Sequence, residues 1–154
     1  MRNCSYYLVA SLTIVLLLSS FVGCSGEVKA RLGEEFYLSI GQSIVITGED
    51  LEIKFVEVSE DSRCPKDVTC IWEGRVTAVI EILTDGSSQQ LELSQPGLTD
   101  APARETYGEY ELTYRVEPYP EKAEVEIAVD EYRLILIVNR QYLNTRQTVS
   151  GVAI

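Results

Sequence analysis

The residues of this chain best equipped for chemistry are crowded into one stretch, "DSRCPKDVTCIWEG", residues 61–74. It holds Cys64 and Cys70, the single tryptophan Trp72, and the charged residues Asp61, Arg63 and Glu73. Such residues serve metal binding, thiol redox, ligand binding or covalent cross-linking. A structural zinc site takes about four nitrogen or sulfur ligands. Two cysteines in a chain without histidine do not supply that set. Redox cysteines favour the C-x-x-C spacing and an electropositive neighbourhood, whereas here the spacing is C-x₅-C with Asp61, Asp67 and Glu73 close by. The expected pairing is therefore a Cys64–Cys70 disulfide. Closing so short a loop contributes about 2 kcal/mol on the loop-entropy argument.

A disulfide requires an oxidising compartment, and the N-terminus bears on that. Residues 1–24, "MRNCSYYLVASLTIVLLLSSFVGC", start with Arg2 and continue into an apolar run from Leu8 to Val22. The run is short for a bilayer span and suits a secretory signal. Its end, "FVGC", resembles the lipobox of bacterial lipoproteins, with Phe21 where leucine is usual. That resemblance implies cleavage after residue 23, diacylation of Cys24 and a mature chain that begins there. Two acyl chains suffice for stable anchoring. The expected organisation is a signal peptide (1–23), a tether (24–33), one folded domain (34–139) and a tail or extra strand (140–154). The expected location is the extracytoplasmic side of the cell membrane, lipid-anchored.

Composition narrows the function. Asp and Glu number 24 against 13 Lys and Arg, a formal charge of −11. A chain so acidic does not hold nucleic acid by phosphate contacts. The absence of histidine removes the usual proton shuttle and any Ser-His-Asp triad. No Gly-rich phosphate loop and no G-x-S-x-G elbow is found. No cofactor and no metal is expected; a Ca²⁺ site on Glu60, Asp61 and loop carbonyls is a minor alternative.

The elements that must position these residues alternate with period two, as strands do. "EEFYLSI" puts Phe36, Leu38 and Ile40 on one face, and "SIVI" follows a Gly-Gln turn. "LEIKFVEVS" puts Leu51, Ile53 and Phe55 on one face, then Val56 and Val58 on the other parity, the phase slip of a β-bulge. "RVTAVIEIL" is apolar on both faces and reads as a central strand, with "QQLELS" as its hairpin partner beyond "TDGSS". Residues 94–107 read as the longest loop. "EYELTYRVEPYP" alternates until Pro118 and Pro120, and "AEVEIAV" and "YRLILIV" complete about eight short strands. The fold class expected is all-β: an antiparallel β-sandwich or barrel-like sheet pair.

In that setting Trp72 caps one end of the sandwich or stands out on a binding loop, and Asp61 pairs with Arg63 or with loop amides. Tyr107, Tyr110, Tyr114, Tyr119 and Tyr132 form a ligand platform or cover a sheet face. The stretch is similar to a motif of small bacterial secreted or lipoprotein β domains, D-S-R-C-P-x-x-V-x-C-x-W-x-G, matched here by Asp61, Ser62, Arg63, Cys64, Pro65, Val68, Cys70, Trp72 and Gly74. With "YELTYRVEPYP" and "YRLILIV" the resemblance spans roughly residues 34–139. It implies a small extracytoplasmic β domain and carries no activity. The function expected is non-catalytic binding through Asp61, Arg63, Trp72 and Glu73, with the membrane and an envelope protein as partners. The alternatives are a structural subunit of an envelope complex and a hydrolase in which Asp61 and Glu73 act beside Arg63 as anion clamp.

Overall fold

The computed structural model describes residues 28–97 and 101–141. Cys24 and nearly all of the tail lie outside them. Two sheets face each other. One has the order β1 (Lys29–Ala30), β3 (Ser43–Ile46), β4 (Glu52–Asp61), β5 (Arg75–Thr84), β6 (Ser87–Pro96); the other has β2 (Glu35–Ser39), β9 (Arg133–Arg140), β8 (Tyr110–Glu117), β7 (Ala103–Tyr107). Every pairing is antiparallel except β1 with β3. The all-β sandwich is as the alternation predicts, and the sheets do not close into a barrel.

The core is the sum of the inward stripes. Ile53 and Phe55 of β4, Val76, Ala78, Ile80 and Ile82 of β5, Leu93 of β6, Leu112, Tyr114 and Val116 of β8, and Leu134, Leu136 and Val138 of β9 are all buried. β5 lies between β4 and β6, and Thr77 and Val79 on its second face are buried along with its inward stripe.

Three segments differ from the sequence reading. The expected tether is already strand at Lys29–Ala30, which pairs with Val45 and Ile46. The expected loop 94–107 is largely sheet: β6 continues to Pro96, and β7 pairs with β8 from Ala103. The expected strand "AEVEIAV" is irregular and ends in a turn of 3-10 helix, Val129–Glu131. It joins no sheet: β9, the strand that follows it, is already paired with β2 on one side and β8 on the other, and a cleft lies between it and the end of β4.

The phase slip in β4 is two bulges, between Phe55 and Glu57 and between Val58 and Glu60. Residues directly opposite each other across a ladder share a face. Ile53, Phe55, Val58 and Asp61 stand opposite Ile82, Ile80, Ala78 and Val76, all inward. Each bulge advances the stripe by one residue, so the inward series ends on an aspartate.

Gly74 brings the chain back against the end of β4. It has a left-handed φ of +67°, and a Cβ there would lie 1.9 Å from the carbonyl oxygen of Ser62. No L side chain fits without moving backbone. Gly74→Ala is expected to cost about 3 kcal/mol or more, read as a lowered urea midpoint with unchanged slope.

Candidate functional site

Asp61 meets its partners at the end of the sandwich. Its carboxylate accepts from Arg63 Nε at 2.9 Å and Nη2 at 2.6 Å, a two-point contact, and from the Tyr132 hydroxyl at 3.1 Å. The Arg63 side chain has no accessible surface. Its remaining reach goes to the opposite sheet: Nη1 donates to the Val116 carbonyl and Nη2 to that of Pro118, each at 2.8 Å.

These carbonyls need such donors because β7 begins too late. Ala103 pairs with Tyr114, so no strand continues beside Val116. The gap is filled by side chains from the other sheet. Gln95 of β6, fully buried, accepts from the Val116 N–H at 2.8 Å and donates to the Ala101 carbonyl at 3.1 Å. Arg63 supplies the matching bond to the Val116 carbonyl. Among the described residues no buried side-chain polar atom lacks a partner, as the cost of leaving one unpaired demands.

The loop that follows is held at several points. Cys64 and Cys70 are joined by the expected disulfide, with Cα atoms 5.9 Å apart. The Arg63 guanidinium lies over the Tyr119 ring at 5.2 Å, and the Tyr119 hydroxyl donates to the Cys64 carbonyl at 2.8 Å. Lys66 pairs with Glu121 at 2.6 Å, and Asp67 accepts from the Ala123 N–H at 3.0 Å. The disulfide loop is thus docked onto the β8–β9 connection.

The sequence-derived site therefore separates into two groups. Asp61 and Arg63 are interior and occupied by each other; the guanidinium is not open to a bound anion, so the clamp expected of Arg63 is not formed. Glu73 is exposed, and no acid pair of Asp61 with Glu73 faces solvent. Trp72 does not cap the sandwich: it is 67% exposed, beside Ile71 at 91% and near the exposed Val68. The tyrosine platform is not formed either. Tyr110, Tyr114 and Tyr132 are buried, and Tyr107 and Tyr119 are half-buried.

One feature escaped the sequence reading. A cleft of about 420 Å³ lies between the last turn of β4 (Val58, Ser59, Glu60 and Asp61) and the 120–129 segment, with Tyr132 and Arg63 at its base. Val125 and Val129 at its rim are exposed. The apolar residues of "AEVEIAV" are the only signal that could have pointed to it, and their alternation reads as a strand.

No family model, curated protein or solved structure matches this chain.

Removing the Arg63 side chain leaves the largely buried Asp61 carboxylate without its counter-charge, held by the Tyr132 hydroxyl, and takes the donors from the Val116 and Pro118 carbonyls. Arg63→Met is expected to cost about 3–5 kcal/mol, measured by chemical denaturation. A second expectation concerns alkaline pH. Burial, and then the Asp61 carboxylate, push the Tyr132 hydroxyl from its ordinary 10.0 up to about 12. Burial, and then Glu105, do the same for Tyr114. A raised folded-state value means the native state holds the proton more tightly, so this stabilisation is complete below the unfolded value of about 10 and is lost as pH rises through about 12. Urea midpoints should fall across that window, and less steeply in Tyr132→Phe.

Proposed function

We propose that this chain is a non-catalytic interaction domain, held at the extracytoplasmic face of the membrane through lipid on Cys24, that engages an envelope protein with the loop bearing Ile71 and Trp72. The observation that carries the reading is the exposure of these two large apolar side chains on a loop fixed by a disulfide and by its contacts with the β8–β9 connection. Apolar contact area that is already ordered loses little entropy on binding, and tryptophan is the residue type most enriched at binding hot spots. Their neighbours Asp61 and Arg63 hold the loop and do not touch the partner.

Because Trp72 is exposed, Trp72→Ala should change stability by no more than about 0.5 kcal/mol. Cross-linking of the full chain in native membranes should capture a specific protein partner, and Trp72→Ala should release it. Equal capture by both forms, or no specific partner for either, would overturn the reading. Intrinsic fluorescence checks the premise, since Trp72 is the only tryptophan: its emission should be accessible to acrylamide in the folded protein.

A further inference from the structure

The cleft beside β4 has one lining that a side-chain pocket lacks. Val58, Ser59, Glu60 and Asp61 are consecutive residues of one strand, and all four line it. The face of a strand presents only alternate residues. Here the bulge at Ser59 breaks that alternation, and the four consecutive residues bring the strand's edge as well as its inward face to the cleft.

That edge is open. β3 pairs with β4 only as far as Lys54, and the 41–42 turn bonds Phe55 at both N–H and carbonyl. Beyond Phe55, β4 is paired with β5 on one side and, among the described residues, has no backbone partner on the other. Unpaired main-chain donors and acceptors beside a groove are the requirement for adding an extended peptide as a further strand. The opposite wall shields this edge from sheet-to-sheet association: the 120–129 segment stands across from it. The bulge at Ser59 marks the same place, and bulges concentrate at sheet edges and beside functional sites.

The walls state the chemistry of the occupant. Val58, Val125, Ile127 and Val129 offer apolar contacts for alternate side chains. Of the charged lining residues, Asp61 is matched by Arg63 and Glu60 by Arg75. Glu126 and Lys122 remain, with Glu124, Asp130 and Glu131 exposed nearby on the same connection. The connection is thus acidic on balance, as is the whole chain at −11, and it disfavours an acidic segment while favouring a basic one.

We propose that the cleft binds an extended polypeptide segment of a partner protein, carrying β-branched residues and lysine or arginine, as an added strand on the Val56–Asp61 edge of β4. This goes beyond the Trp72 reading: it places a second, independent contact at the strand edge and not on the Trp72 loop.

The test uses the full chain in mild detergent and nine-residue peptides of valine and threonine with lysine at both ends and the centre. Hydrogen exchange with and without peptide is the readout. Those amides of residues 56–61 that point away from β5 should exchange about tenfold more slowly with saturating peptide. Protection should vanish when alternate peptide nitrogens are methylated, and weaken when glutamate replaces lysine. Val129→Lys, at an exposed rim position, should weaken it too, whereas Trp72→Ala should leave it unchanged. Protection confined to residues 68–73 and lost in Trp72→Ala would overturn the strand-edge proposal and leave the Trp72 reading standing. Protection that persists with the methylated peptide, or no protection at residues 56–61, would also overturn it. The membrane cross-linking experiment decides the Trp72 reading separately.

Discussion

The end of this sandwich depends on one ion pair and on what the pair does for the backbone. Arg63 could not be buried without Asp61, because an unpaired interior charge is far more costly than a lost hydrogen bond. Asp61 could not face inward without two bulges that advance the β4 stripe. The buried Val116 carbonyl could not be satisfied without the guanidinium, which also reaches that of Pro118. Each feature requires the others, and together they hold the root of the disulfide loop against the opposite sheet. The disulfide closes the loop; the ion pair gives it an address.

The arrangement divides the charged and aromatic residues of the 61–74 stretch by role. Those that look most like catalytic groups, the Asp61 carboxylate and the Arg63 anion clamp, face inward and satisfy each other. Those that look like core, Ile71 and Trp72, face out. Burial reverses the ordinary preference of both types. The reversal is coherent once the loop is seen as a support that presents apolar surface.

Much of the fold was legible in the sequence because its strands are half-buried and alternate cleanly, as in "YELTYRV" and "YRLILIV". The bulge in β4 showed as a change of parity at Val56. The pairing of Asp61 with Arg63 and the disulfide were legible from charge and spacing. Other parts were not. β7, "ARETY", is an edge strand with little buried surface, so no apolar stripe marks it. "AEVEIAV" has the stripe and is not a strand: it stands across a cleft from the end of β4, and whether a stripe meets a sheet edge is a property of the whole fold. The cleft was illegible for the same reason: it exists where a short strand, β3, stops beside a long one, β4. Nothing within either segment records that mismatch. The side of Trp72 that meets solvent follows from how the loop docks on residues 120–123, which are distant in sequence.

The filling of the space beside Val116 by Gln95 and Arg63 has a mechanical meaning. The two side chains act as a key between the sheets, since sliding one sheet past the other by a single residue would break every one of those bonds together. The opposite end of the sandwich has a different fastening. There Glu49, on the turn after β3, accepts from the Tyr110 hydroxyl at 2.9 Å and pairs with Arg140, a side chain that is 40% exposed. Salt weakens a contact of that kind and scarcely touches a buried one. One end of the sandwich is thus fastened by a guanidinium with no accessible surface and the other by one that is 40% exposed, so added salt loosens the Glu49 end before the end that carries Trp72 and the β4 cleft.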